Sequence, residues 1–283
     1  MKDSSSPSPR YKNPLLFLKL GGSLITDKTT PHTPRPTVIA RLAQEIVAAR
    51  KENPGLRLVL GHGSGSFGHV PAKKFNTRQG VDSPKDWRGF AQVWHEASSL
   101  NHIVMTALHA AGLPVISFPI SGGVSVKNGR VATWNLIPLT AALKVGLLPV
   151  VFGDVAFDSI RGGTILSTED IFAHLARQLH PQRILLAGID AGVWADYPHC
   201  TELIPTITPE SWKKAAPSLE GSAATDVTGG MASKVRAMLN LTVDVPGLDV
   251  LIFNGNQPGN VESAIRGKNI GTRLYNPKHH LIK

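Results

Sequence analysis

The chain has 283 residues, of which 42% are hydrophobic and 18% charged, and this ordinary globular composition excludes a wholly disordered protein. It carries 30 Lys and Arg against 20 Asp and Glu, and the net charge of +10 favours polyanions, acidic membranes or phosphorylated small molecules as partners. The basic residues are spread along the chain and are not concentrated in one run, which argues against nucleic acid as the main partner.

The cysteine content and the N-terminal sequence favour a cytoplasmic protein. Cys200 is the only cysteine, so an intramolecular disulfide is excluded and a reducing compartment is expected. Residues 1–13, MKDSSSPSPRYKN, predict a disordered tail and contain no apolar stretch typical of a signal peptide. No apolar run approaches the length of a transmembrane helix. We therefore expect a soluble, cytoplasmic protein.

Short runs rich in Val, Ile, Leu and Phe recur along the chain and predict strands buried on both faces, as in a parallel sheet. The runs are LLFLKL (15–20), LRLVL (56–60), PVISF (114–118), LPVVF (148–152), RILLAGI (183–189) and DVLIF (249–253).

Amphipathic helical patterns separate these runs. Residues 37–52 repeat apolar side chains every fourth position behind Thr37, a predicted N-cap. Residues 86–112 carry a longer apolar stripe from Phe90 to Leu108, which Gly112 would end as a C-terminal cap. Alternation of strands and helices predicts an α/β sandwich with a largely parallel central sheet and helices on both faces.

Two segments depart from this alternation and predict β-hairpins. Residues 124–134 place Asn128 and Gly129 between alternating residues, which favours a type I′ turn. Residues 156–170, AFDSIRGGTILSTED, resemble a second hairpin that leads into a helix.

The stretch GHGSGSFGHV (61–70) follows a predicted strand and matches the dinucleotide pattern G-x-G-x-x-G. That reading requires an acidic residue at the next strand end, whereas Asp82 and Asp86 fall in a predicted turn. A phosphate-binding P-loop would require Lys where the chain has His69. Glycine backbone at a helix start still suits an anion, so we interpret the stretch as a phosphate-binding loop.

Two further glycine turns carry lysines. LKLGGSLITDK (18–28) contains Lys19 on a predicted strand and Lys28 beyond the turn, and DVTGGMASKVRAML (226–239) places Lys234 on the first turns of a helix. Three glycine turns accompanied by Lys or His predict that several phosphates are held in line.

These motifs, with FGDV (152–155) and the helix-initiating STED (167–170), resemble the amino acid kinase family in order and spacing from about residue 14 onward. Within it they are similar to the branch that phosphorylates isopentenyl phosphate. The resemblance implies an open αβα sandwich, with residues 14–165 binding the phosphate acceptor and residues 166–283 binding ATP. It also implies Mg²⁺ with ATP, direct in-line transfer to form isopentenyl diphosphate, and a homodimer.

The resemblance assigns roles to individual residues. Lys19, Lys28 and Lys234 would contact the ATP phosphates, His69 the acceptor phosphate, and Asp170 would orient the lysines. Together these five form the implied catalytic set. The further ATP-binding residues are Gly21, Gly22, Ser23, Gly192 and Gly230. The further acceptor-binding residues are Gly65, Ser66, Gly68, Gly153 and Asp154. No residue is implied as a metal ligand, because phosphate oxygens and water would hold Mg²⁺.

Two departures from the family pattern affect these roles. Thr168-Glu169-Asp170 stands where the family usually has Gly-Asp-Asp, and GIDAGVWADYP (188–198) has an extra Ala191 in the nucleotide loop. The hydrocarbon end of the acceptor would face apolar residues of the 87–108 helix and of ISFPI (116–120).

Competing functions remain open at this stage. A fosfomycin-type phosphonate kinase also uses a histidine near the anion of its acceptor, whereas GSFGH disfavours a UMP kinase or a carboxylate kinase. A non-catalytic nucleotide sensor or storage protein on the same fold is a second alternative. Strongly salt-dependent DNA or RNA binding would instead favour a nucleic-acid-binding module.

Overall fold

The computed structural model describes residues 14–213 and 230–279. The predicted tail, residues 1–13, and the first residues of the third glycine turn, 226–229, lie outside this part of the chain.

The described strands and helices alternate along most of the chain. The strands are β1 (Leu15–Leu20), β2 (Arg57–His62), β3 (Val115–Ser117), β4 (Val124–Lys127), β5 (Arg130–Trp134), β6 (Leu148–Phe152), β7 (Asp154–Asp158), β8 (Gly162–Leu166), β9 (Arg183–Gly188), β10 (Val193–Trp194), β11 (Leu203–Ile204), β12 (Thr206–Ile207), β13 (Asp249–Asn254) and β14 (Thr272–Tyr275). The helices are α1 (Gly22–Ile25), α2 (Pro36–Glu52), α3 (Gly65–Phe75), α4 (Pro84–Ala110), α5 (Ile137–Lys144), α6 (Thr168–Leu179), α7 (Gly230–Asp244) and α8 (Asn260–Ile265).

An eight-stranded sheet in the order β12-β14-β13-β9-β1-β2-β6-β3 forms the centre of the molecule. Its strand pairs are parallel except for β13 with β14. The carboxyl ends of β1, β2, β6 and β9 therefore meet along one edge, where open α/β sheets commonly bind ligands. A four-stranded sheet, β5-β4-β7-β8, follows β6.

Helices cover both faces of the central sheet. Phe17 and its neighbours on one face pack in a core with α5, α6 and α7, while Leu16 and Leu18 face a second core with α2, α4 and α8. Alternate residues of a strand point to opposite faces, so β1 divides its side chains between the two cores. The predicted αβα sandwich with a largely parallel sheet is confirmed.

The predicted apolar runs are confirmed as strands of the central sheet, although β3 is shorter than its run. Both hairpins are confirmed, and the turn between β4 and β5 has positive φ at Asn128 (50°) and Gly129 (75°), as a type I′ turn requires. The predicted N-cap Thr37 is wrong: the helix begins at Pro36 behind Arg35. Proline suits this first helical position because it has no N–H to leave unpaired.

The helix predicted at 86–112 begins two residues earlier. Ser83 is its N-cap, and Ser83 and Asp86 form a capping box in which each side chain bonds the other's backbone N–H. Gly112 follows the helix with φ of +85° and is confirmed as a C-terminal glycine. Within residues 14–213 and 230–279, no helix combines the length and apolar character that a bilayer crossing requires.

Candidate active site

Lys19 points from β1 toward the face of the sheet that α6 and α7 cover. It lies two residues after Phe17, whose ring contacts Phe172 of α6, and alternation along the strand gives both side chains the same side. The Lys19 ammonium group donates a hydrogen bond to the Glu169 carboxylate in the first turn of α6. An ion pair thus joins the end of β1 to the start of α6.

Lys234 of α7 acts electrostatically on both members of this pair. Burial lowers the pKa of Lys19, and Lys234 lowers it further, while Glu169 opposes both effects. Burial would raise the pKa of Glu169, but the charges of Lys19 and Lys234 outweigh it and hold that pKa at about 2. Two ammonium groups therefore face one ionised carboxylate, which leaves an excess positive charge suited to phosphate.

The first two glycine turns pack backbone against backbone beside Lys19. A Cβ atom on Gly22 would lie 2.5 Å from the Gly65 nitrogen, and one on Gly63 would lie 2.9 Å from the Gly22 nitrogen. Gly65 also has φ of +50°, where a side chain is strained. Gly21, Gly22 and Ser23 open α1 at the end of β1, with the Gly21 N–H bonded to the Ala187 carbonyl at 2.8 Å.

Thr26 joins the two glycine turns through its side chain. Its hydroxyl donates to the Gly22 carbonyl at 2.8 Å and accepts from the Ser66 N–H at 2.9 Å. The Ser66 hydroxyl oxygen in turn accepts from the Thr33 N–H at 3.3 Å. These bonds occupy the Ser66 amide, so Ser66 holds neighbouring loops in position and has only its hydroxyl proton left for a ligand.

Lys28 is exposed on the loop between α1 and α2. This loop is fixed to the helices below it, because the His32 imidazole pairs with the Glu96 carboxylate at 2.7 Å and packs edge-on against Phe67. The loop therefore presents the Lys28 side chain from an anchored backbone.

His69 is exposed on α3, one helical turn after Gly65. Gly68 is buried beside it, and a Cβ atom there would lie 2.5 Å from the Ser64 Cβ. The helix starts immediately after Gly63 and Ser64, so the stretch interpreted as a loop is mostly strand and helix with a two-residue connection.

His62, at the carboxyl end of β2, is buried and was not singled out in the sequence. Its ring stacks on Phe152, its Nε2 lies 3.1 Å from the Asn101 Oδ1, and burial lowers the pKa of the imidazole. The Thr168 hydroxyl donates to the His62 carbonyl at 2.6 Å. A neutral His62 therefore fixes the strand end against α4, β6 and α6.

Gly153 connects β6 to β7 beside this strand end, and Asp154 is the first residue of β7. The Gly153 carbonyl accepts from the Ser64 hydroxyl at 3.3 Å. Asp154 Oδ1 accepts from the Val155 N–H at 2.8 Å, and Oδ2 is buried. Burial raises the pKa of Asp154 to about 7.

Asp154→Asn is expected to flatten the pH dependence of stability between about pH 4 and 7. The raised pKa stabilises the wild-type fold fully below the ordinary Asp pKa, and this contribution is lost as pH rises toward 7. The wild-type free energy of unfolding should fall relative to that of the variant by up to about 1.4 kcal/mol per pH unit. Urea denaturation of both proteins across this range measures the difference, and parallel profiles would contradict it.

Asp170, implied by the resemblance as the residue that orients the lysines, lies one position away from the residue that pairs with Lys19. Its carboxylate accepts from the Ser167 N–H at 2.8 Å in a capping box and from Arg78 at 3.0 Å. Glu169 makes the contact with Lys19 instead. Successive helical residues point about 100° apart, so the two carboxylates face different surroundings.

Glu169→Gln is expected to lower kcat by up to about 10²-fold, because it frees Lys19 to move by the order of 1 Å. Asp170→Ala should leave kcat within about threefold and lower the free energy of unfolding by about 1 kcal/mol through the lost capping contact. Steady-state kinetics and urea denaturation of both variants test this division. A larger kcat loss in Asp170→Ala than in Glu169→Gln would contradict it.

Gly192 and Gly230 lie at starts of elements in the C-terminal half. A Cβ atom on Gly192 would lie 2.5 Å from the Thr272 hydroxyl oxygen, so glycine is required there by close packing. Gly230 begins α7 with φ of +64°, four residues before Lys234.

The apolar stripe of α4 divides between two clusters. Leu100, Val104 and Leu108 belong to the second core, which also contains Leu16 and Leu18, whereas Phe90 and Val93 pack in a small cluster beside β7. Among residues 14–213 and 230–279, no three His, Cys, Asp or Glu side chains come together as metal ligands.

A model of the amino acid kinase family matches residues 14–254. The chain belongs to the amino acid kinase family. An isopentenyl phosphate kinase from Methanothermobacter thermautotrophicus is 33% identical over 92% of this chain and 98% of its own length. One from Haloferax volcanii is 36% identical over 90% of this chain and 99% of its own length.

Solved structures support the same membership. An X-ray structure of isopentenyl phosphate kinase covers 92% of this chain and 99% of its own, with a TM-score of 0.77 and 30% identity. The product complex of the Thermoplasma acidophilum enzyme has a TM-score of 0.72 at 26% identity, with the same coverage. This amino acid kinase family member is therefore an ATP-dependent phosphotransferase.

Proposed function

We propose that this kinase transfers the γ-phosphoryl group of ATP to isopentenyl phosphate and forms isopentenyl diphosphate. The main support is the buried Lys19–Glu169 ion pair, on which Lys234 acts electrostatically. The pair lies beside two glycine turns whose backbones pack closely against each other. The relatives at 33% and 36% identity are isopentenyl phosphate kinases, which supports this acceptor.

The ATP phosphates would lie between Lys19 and Lys234. Phosphoryl transfer needs alignment and positive charge more than covalent chemistry from the protein. We assign the backbone of Gly21, Gly22 and Ser23 to the transferring group, Lys28 to the same phosphates from its anchored loop, and Gly192 and Gly230 to the nucleotide. Glu169 takes the positioning role for Lys19.

The acceptor phosphate would lie near the start of α3, where the helix dipole favours an anion. His69 would donate to a phosphate oxygen, with Gly65, Ser66 and Gly68 around it, and Gly153 and Asp154 closing the β6 side. The acceptor oxygen attacks the γ-phosphorus in line as the bond to ADP breaks. No side chain acts as nucleophile.

Mg²⁺ fits this site as a companion of ATP rather than as a resident ion. The donors gathered around Lys19 are mainly cationic, and Glu169 already pairs with Lys19. Phosphate oxygens and water would therefore hold the ion, which supplies further charge neutralisation. We also propose a homodimer in the cytoplasm, on the family resemblance and the single Cys200.

ADP release from Mg-ATP with separate acceptors tests this function. We expect turnover with isopentenyl phosphate and at most trace turnover with fosfomycin or UMP. Turnover with fosfomycin alone would show that the acceptor is a phosphonate and would contradict isopentenyl phosphate as the acceptor. No turnover with any of the three, together with tight ATP binding, would favour the nucleotide sensor.

A further inference from the structure

A cavity of about 600 Å³ lies where the β4–β5 and β7–β8 turns meet the loop after α3 and the start of α6. Three arginines line it, and each comes from a different segment: Arg78 after α3, Arg130 at the start of β5, and Arg161 between β7 and β8. Asp170 is the one carboxylate among the residues described as lining it. The lining therefore carries an excess of two positive charges.

Arg161 is held in place by neutral oxygens. Its Nε and Nη2 donate to the Asn128 Oδ1 at 3.1 and 2.9 Å, and its Nη1 donates to the Arg78 carbonyl at 3.3 Å. These contacts order the guanidinium group without neutralising it. An ordered guanidinium loses less entropy when it binds an anion.

Asp158 fixes the two turns that present these arginines. Its buried carboxylate accepts from the backbone N–H groups of Asn128, Gly129, Ile160 and Arg161 at 2.6–3.1 Å. Burial would raise the pKa of Asp158, but these four bonds lower it below the ordinary value. The ionised carboxylate ties the tips of both hairpins into one unit.

Arg78 and Arg130 supply the exposed charge of the cavity. Arg78 pairs with Asp170 at 3.0 Å, and both side chains are more than a third exposed, so this pair is weak and can be displaced. The Arg130 side chain has no hydrogen-bond or ion-pair partner within residues 14–213 and 230–279.

We propose that Arg78, Arg130 and Arg161 form a binding site for a small phosphate-bearing dianion, separate from the phosphoryl-transfer centre. A phosphate monoester or diphosphate matches the excess charge of the lining, and its oxygens suit the forked donors of arginine. The two sites use successive residues of α6: Glu169 pairs with Lys19, whereas Asp170 pairs with Arg78 at the cavity and acts on Lys19 through its charge alone. Occupancy would compete with Asp170 for Arg78.

Calorimetric titration with inorganic pyrophosphate tests this site on the full chain in metal-free buffer. ADP and isopentenyl phosphate at saturation fill the transfer centre under the proposed function. We expect the wild type to bind one further pyrophosphate and Arg130→Gln to bind it at least tenfold more weakly. The Arg130 side chain takes no part in the hydrogen bonds of Asp158 and Arg161 that hold the two hairpin tips together, so Arg130→Gln keeps those bonds. Arg161→Gln serves as a second variant.

Arg177→Gln is the matched control, since Arg177 is a half-exposed arginine of α6 paired with Asp244 outside the cavity. It should bind pyrophosphate like the wild type. Absence of binding in the filled enzyme, equal binding by Arg130→Gln, or equal weakening by Arg177→Gln would overturn the proposal. If isopentenyl phosphate is not the acceptor, pyrophosphate could bind in the transfer centre instead. That binding would be unchanged in Arg130→Gln and weaker in Lys234→Gln. The two variants therefore distinguish a failure of the proposed site from a failure of the proposed function.

Discussion

Lys19→Ala is expected to lower kcat on the order of 10²–10³-fold, the usual cost of removing one preorganised donor to developing charge. Lys19 lies at the end of β1, and its ammonium group is fixed by Glu169 before any substrate arrives. The substitution removes this donor and leaves the Glu169 carboxylate, which would then repel phosphate. Steady-state kinetics with saturating ATP and acceptor measure the loss.

Lys51→Ala serves as the control for this change, because Lys51 is exposed in the last turn of α2. Its kcat should equal that of the wild type. A loss below tenfold in Lys19→Ala, with an unchanged melting temperature, would contradict the role of Lys19.

His69→Ala is expected to lower kcat/KM for the acceptor on the order of 10²–10³-fold, while the KM for ATP changes little. His69 is exposed on α3, so its truncation should leave the fold intact. His69→Gln keeps an N–H donor and should retain more activity than the alanine variant. Initial rates at varied acceptor concentrations test this order.

The matched control is His95→Ala, which removes an exposed histidine from α4. Its kinetics should match those of the wild type. An increase in the KM for ATP as large as the increase in the KM for the acceptor in His69→Ala would contradict an assignment of His69 to the acceptor phosphate.

The sequence predicted the fold correctly where a single hydrophobic pattern extended over several consecutive residues. LLFLKL and LPVVF correspond to β1 and β6 residue for residue. Short, mainly apolar runs of this length are typical of strands buried on both faces. Two-residue strands such as β12 have no period to detect. The predicted division into residues 14–165 and 166–283 remains a prediction, although β1 pairs with strands from both ranges.

The contacts of the candidate site were harder to predict, because they join residues that are far apart in the sequence. The Thr26–Ser66 bond spans 40 residues, and nothing local to Thr26 predicts it. The contact of Lys19 with Glu169 could have been predicted, because Ser167-x-x-Asp170 has the spacing of a capping box. That pattern commits Asp170 to the helix start and leaves Glu169 as the carboxylate facing Lys19.

The most direct measurement is phosphorus NMR of the purified enzyme mixed with Mg-ATP and isopentenyl phosphate. We predict that the monoester resonance disappears as a pair of diphosphate doublets and the ADP signals grow in equal amounts, and that Lys19→Ala slows this conversion. Release of inorganic phosphate with no new diphosphate would contradict transfer to the acceptor.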